Sequence, residues 1–140
     1  MKLLKTITII CIVPFLWNCD KNENKTNTPK LIEINGGTCN AKELKQINDK
    51  IVEQDTVTYT ISNGNLNLQV GFNENCCSEF SASSLIENNT IIIKIKTEKF
   101  GLCNCLCYHI YEFKYSGIYD TYDYEITIDD NLFLNGTINP

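Results

Sequence analysis

The residues best able to do chemistry in this chain are its cysteines. There are eight in 140 residues, and six lie beyond the first thirty: Cys39, Cys76, Cys77, Cys103, Cys105 and Cys107. Three crowd into the run 101–109, GLCNCLCYH, and two follow Asn75 as an adjacent pair. If 103–109 is extended, Cys103, Cys105, Cys107 and His109 all project to one face. Tyr111, Phe113 and Tyr115 continue that face, which marks it as the core side.

Three chemistries compete for these thiols. Structural disulfides lead, because an even set of cysteines suits an oxidising compartment. Cys76 and Cys77 would then reach the CxCxC run, and Cys39 would take the leftover partner. Neighbouring strands bring Cα atoms within bridging range. The second reading is a thiolate site for zinc or copper, with Cys76, Cys77, Cys103, Cys105, Cys107 and His109 as candidate ligands. Same-face residues on a strand stand about 7 Å apart, so one strand does not supply a tetrahedron alone and Cys76 or Cys77 must join. The third is redox catalysis or buried free thiols, and the helical CxxC arrangement that would favour catalysis is missing.

Other catalytic constellations are weaker. His109 is the only histidine, and a single histidine in a strand reads as a packed or hydrogen-bonded core residue. A triad drawn from Ser78, His109 and an aspartate lacks the GxSxG elbow. Asp120, Asp123, Asp129 and Asp130 lack the spacing of a calcium loop and read as solvated turn residues. No catalytic residue is assigned, no cofactor is expected outside the metal reading, and the chain is read as a non-enzyme.

The N-terminus says where such chemistry would take place. Lys2 and Lys5 precede an apolar run over 6–17, interrupted by Pro14 and short for a bilayer span. Leu16-Trp17-Asn18-Cys19 then resembles the bacterial lipobox, in which an aliphatic residue stands three before an obligatory cysteine. Leu16 and Cys19 match, while Trp17 and Asn18 depart from the usual small residues. The resemblance implies a signal peptide over 1–18, with Cys11 inside it, and lipidation of Cys19. More than one acyl chain, at about 0.8 kcal/mol per buried CH₂, makes a stable anchor. Residues 20–30 are polar and charged, so 19–30 reads as a lipidated flexible tether. Asp20 and Glu23 resemble the surface-export signal of Bacteroidota lipoproteins. The expected location is the bacterial cell envelope, at the outer membrane, with the leaflet open.

Beyond the signal, ten lysines face 17 acids, and arginine is absent. Nucleic-acid binding wants net positive charge and arginine forks, so no nucleic-acid partner is expected. The membrane, through Cys19, is the partner the sequence implies.

The elements that must position the cysteines alternate with period two. Val57, Tyr59 and Ile61 form one such series, and Leu66, Leu68, Val70 and Phe72 another, with Asn63-Gly64 between them as a hairpin signal. Runs 80–87 and 90–96 flank Asn88-Asn89, a second hairpin. Run 105–115 is a long strand candidate. Tyr122, Tyr124, Ile126 and Ile128 alternate again, and Asp129-Asp130-Asn131 can turn into a strand holding Leu132 and Leu134. Residues 31–34 can add one at the start. Asn40 and Glu43 make a capping-box pattern for one helix near 41–51, with Leu44, Ile47 and Ile51 on one face. The reading is a single all-β domain over 31–140: an antiparallel β-sandwich or barrel of seven or eight strands with one short helix. Roughly 110 residues suffice for one core.

The series Asn-Cys-Cys, then Glu-Asn-Asn-Thr, then Gly-Leu-Cys-x-Cys-x-Cys-Tyr resembles small Bacteroidota lipoproteins in which a CC pair precedes a hairpin and a CxCxC strand. The resemblance spans roughly 70–128, and implies an antiparallel β domain with no established activity. Asp55-Thr56-Val57 is similar to the O-glycosylation site of that phylum, which makes Thr56 a candidate acceptor. The function that follows is a lipid-anchored envelope protein with a cysteine-stapled domain, acting as a binding or structural accessory. The alternatives are a zinc or copper binder, and a small-ligand carrier or inhibitor of calycin-like type.

Overall fold

A computed structural model describes residues 28–39, 55–101, 103 and 105–140, and for Thr38 it describes the backbone alone. The signal segment, Cys11, Cys19, most of the tether and the helix expected near 41–51 lie outside the described residues.

Among the described residues, eight strands follow one another: β1 (Lys30–Cys39), β2 (Thr56–Ser62), β3 (Asn65–Asn75), β4 (Glu79–Glu87), β5 (Thr90–Lys99), β6 (Leu106–Ser116), β7 (Tyr122–Ile128) and β8 (Asn131–Ile138). Three tight hairpins set their registers. Their central residues, Asn63-Gly64, Asn88-Asn89 and Asp129-Asp130, all have positive φ, between 48° and 71°. That left-handed pair is the type I′ turn, whose twist matches the strands it joins. Asn, Asp and Gly tolerate it with least strain.

The strands form two four-stranded sheets, ordered β1-β6-β3-β2 and β4-β5-β7-β8. They pack face to face as a β-sandwich. At one side β1 lies against β4 without pairing to it, so the sheets do not close into a barrel. Every pairing is antiparallel except β5 with β7, which is parallel from Thr90↔Asp123 to Ile95↔Ile128. The cause is the path of the chain. After β5 it crosses to the opposite sheet for β6, then returns to β7 pointing the same way. Parallel neighbours require such a crossover.

Alternation places the core. Leu66, Leu68, Val70 and Phe72 of β3 face Ile91, Ile93 and Ile95 of β5, with Tyr111, Phe113 and Tyr115 of β6 beside them, all buried. Each aliphatic side chain so buried contributes about 1.5–3 kcal/mol. Two core tyrosines also tie the sheets through their hydroxyls. Tyr111 donates to the Phe80 carbonyl at 2.9 Å, and Tyr115 shares a 2.7 Å bond with Ser84. Both join β6 to β4 across the sandwich, which satisfies polar tips whose rings are buried. Burial pushes the Tyr115 phenol up to about 12, against a smaller downward pull from Ser84.

Candidate functional site

The six domain cysteines gather at one end of the sandwich, where β1 and β3 finish and β6 begins. Three pairs stand at disulfide distance. Cys39 meets Cys107 with Cα atoms 5.7 Å apart, Cys76 meets Cys105 at 5.8 Å, and Cys77 meets Cys103 at 5.9 Å. All lie within the range of bridged cysteines. The strand β6 opens at Leu106, so only Cys107 and His109 share its inner face. Cys103 and Cys105 precede the strand and are half-buried, unlike the single continuous face drawn from the sequence.

The adjacent pair Cys76-Cys77 works because it follows β3 in a tight turn. Asn75 is the organiser of that turn. Its side-chain Nδ2 donates to the Cys103 carbonyl at 2.7 Å, while its Oδ1 accepts the Cys77 N–H at 2.9 Å. Its backbone carbonyl accepts the Ser78 N–H at 3.1 Å. The Cys76 N–H reaches the Cys105 carbonyl at 3.4 Å. Asn75 thereby holds both halves of the cluster, a role that the cysteine-centred reading of the sequence passed over. An asparagine ahead of a turn was the signal, since its amide readily bonds backbone two residues on.

Four sulfurs, those of Cys76, Cys77, Cys103 and Cys105, lie within 4.8 Å of one another. The group does not include Cys107 or His109, both of which the sequence offered as ligands for the same site. Cys107 is occupied by Cys39. His109 is 1% exposed and stands in register with Cys39. Its ring stacks on Phe72 at 5.5 Å and meets Phe80 edge-on at 4.9 Å. Its Nδ1 is 3.3 Å from the Gly37 carbonyl. It is therefore a packed, hydrogen-bonded core residue.

The Gly36-Gly37 pair lets β1 reach this arrangement. Both have positive φ, 114° and 83°, and the β1–β6 register slips between Gly36 and Cys39. A side chain at Gly37 would run into the Tyr111 ring and hydroxyl, and one at Gly36 into the Ile110 carbonyl. Only glycine permits so close an approach at those angles.

Ser78 is buried and accepts the Gly101 N–H at 3.3 Å. With His109 Nδ1 held by a backbone carbonyl, the pair forms no triad. Three of the four acids weighed for calcium, Asp123 within β7 and Asp129 and Asp130 at the β7–β8 turn, are engaged structurally. Asp129 accepts the Thr97 N–H at 2.8 Å and its hydroxyl at 2.7 Å, and the backbone bond first holds its carboxyl below the ordinary range. Asp123 accepts from Thr137, and Asp130 lies 3.8 Å from Lys96. Thr56 opens β2, with its hydroxyl 2.7 Å from that of Tyr108. No family model, curated protein or solved structure matches the chain.

Proposed function

We propose that this chain is exported, anchored by a lipid on Cys19 at the bacterial cell envelope, and serves there as a stapled, non-enzymatic binding or structural module. The observation that carries the reading is the sorting of all six domain cysteines into three disulfide-distance pairs at one end of the sandwich. Such complete pairing suits an oxidising space outside the cytoplasm. The N-terminal residues Leu16 and Cys19 supply the export and anchoring signal that this requires. The test is expression of the full chain in a diderm bacterium beside a Cys19→Ala variant. The parent chain partitions with membranes and into detergent, and the variant does not. A parent chain that stays cytoplasmic with free thiols defeats the proposal.

A second reading rests on the four-sulfur group. Zinc–thiolate bonds of about 2.3 Å place tetrahedral sulfurs roughly 3.8 Å apart, within the spread of Cys76, Cys77, Cys103 and Cys105. On this reading the four thiolates hold zinc or copper, and only Cys39–Cys107 is a bridge. Thiol counting with elemental analysis separates the two. Blocked thiols without metal support the stapled module, and four free thiols with one metal per chain support the metal site.

A further inference from the structure

The two segments that carry the four grouped sulfurs are held together by bonds in which no sulfur takes part. β3 pairs β6 in unbroken register from Asn65↔Ser116 to Asn75↔Leu106. The Cys76 N–H carries that ladder one bond further, to the Cys105 carbonyl. The Asn75 amide adds its bonds to the Cys103 carbonyl and the Cys77 N–H. Opening Cys76–Cys105 and Cys77–Cys103 therefore leaves this framework in place, with Cys39–Cys107 still tying β1 to β6.

Exposure ranks the bridges for attack. Cys77 is exposed, and Cys76, Cys103 and Cys105 are half-buried, whereas Cys107 is 4% exposed. Exchange needs access of an attacking thiolate to a sulfur, so a dithiol reductant meets Cys77–Cys103 first. The thiols freed there lie within 4.8 Å of the Cys76 and Cys105 sulfurs. All four then fit the envelope of one tetrahedral tetrathiolate, whose sulfurs stand roughly 3.8 Å apart. A closed set of four thiolates suits zinc. A bridged sulfur carries no thiolate charge, so bridges and metal exclude each other on these residues.

We propose that Cys76, Cys77, Cys103 and Cys105 form a redox-gated zinc site: two bridges when oxidised, and one bound zinc ion after a dithiol opens them, while Cys39–Cys107 stays closed. The proposal rests on the stapled reading for its oxidised state and makes the four-thiolate site its reduced state. The step balances. Two dithiols each supply two electrons and two protons, the two S–S bonds become four thiols, and two disulfides of the reductant form. One Zn²⁺ then displaces four protons from those thiols into solvent. Zinc that binds only the reduced state favours it by the factor 1 + [Zn]/Kd. Two dithiols are consumed per site, so the ratio of reduced to oxidised dithiol at half-opening falls as the square root of that factor. Free zinc at about 100 times its Kd therefore lowers the ratio about tenfold.

The test places the full chain in dithiothreitol buffers of graded reduced-to-oxidised ratio, with free zinc either absent or fixed by a chelator. Acid quenching, alkylation and peptide mass mapping identify the opened cysteines, and elemental analysis counts the metal. Cys76, Cys77, Cys103 and Cys105 are expected to open while Cys39 and Cys107 stay joined, and each opened chain is expected to take up one zinc. Zinc at about 100 times its Kd is expected to lower the half-opening ratio about tenfold, with the β signature in circular dichroism retained. Cys77→Ser/Cys103→Ser keeps the β3–β6 ladder and is expected to lose the zinc-dependent shift. The proposal fails, with the stapled reading left standing, if zinc leaves the ratio unchanged, if Cys39–Cys107 opens together with the four, or if the variant shifts as the parent does. A chain isolated with the four thiols already free defeats the stapled reading instead. The gate is then judged by diamide, which must close both bridges and expel any zinc, and retention of free thiols or metal overturns it.

Discussion

The three bridges should differ sharply in what they contribute to stability, because two of them close nearly the same loop. Cys39–Cys107 spans 68 residues, whereas Cys76–Cys105 and Cys77–Cys103 span 29 and 26. In the unfolded chain the two inner bridges are redundant. With Cys76–Cys105 intact, the path from Cys77 to Cys103 is only about four residues long, and chain entropy then assigns Cys77–Cys103 at most about 2 kcal/mol. The outer bridge is shortened less by its neighbours. Running from Cys39 to Cys76, across the bridge and on to Cys107 leaves a loop of about 40 residues, worth about 4 kcal/mol.

The perturbation is therefore a pair of double variants, Cys77→Ala/Cys103→Ala and Cys39→Ala/Cys107→Ala. Each is unfolded in urea under oxidising conditions and followed by far-ultraviolet circular dichroism. With a slope of about 2 kcal/mol per molar urea, the outer variant should lose about 2 M from its midpoint and the inner variant about 1 M or less. Removing both inner bridges together should cost more than twice the single inner loss, since the redundancy is then gone. Equal losses for the inner and outer variants would refute the nested-loop reasoning and the pairing behind it.

Other outcomes follow from single residues. Asn75→Ala removes the bonds to the Cys103 carbonyl and the Cys77 N–H; it should cost about 1–3 kcal/mol in urea unfolding and raise the fraction of mispaired disulfides after oxidative refolding, read by peptide mapping. Gly37→Ala forces a positive-φ position against the Tyr111 ring and hydroxyl and should lower stability by about 1–3 kcal/mol in urea unfolding. The Tyr115 phenol is raised from 10.0 to about 12, so its neutral form favours the folded state. That contribution is whole below pH 10 and is lost as pH rises toward 12, a decline that Tyr115→Phe should abolish in alkaline melts. Glu112 has its carboxyl lowered, first by Asn67 and then by Gln69. Its contribution is present above pH 4.5 and fades as pH falls below that value, and Glu112→Gln should flatten this part of the acid profile.

Much of the fold was legible because its signals are local. Asn63-Gly64, Asn88-Asn89 and Asp129-Asp130 announce turns by residue type, and the alternation of Leu66, Leu68, Val70 and Phe72 announces a buried face. What stayed illegible depends on contacts between distant segments. Nothing local to 90–95 or 123–128 reveals that β5 and β7 run parallel, since that follows from β6 lying in the opposite sheet. The cysteines were legible as a cluster but not as pairs. Which sulfur meets which is set by the Asn75 turn and the Gly36-Gly37 slip, where backbone angles re-aim side chains. His109 was readable as a core residue.

The most direct measurement of the central claim is the intact mass of the native full-length chain, isolated from a diderm host, before and after reduction. The expected result is a chain beginning at Cys19 and carrying acyl groups, free of metal, that gains the mass of six hydrogens as three bridges open. A chain that retains residues 1–18, lacks acyl groups, or gains only two hydrogens while releasing zinc or copper would contradict it.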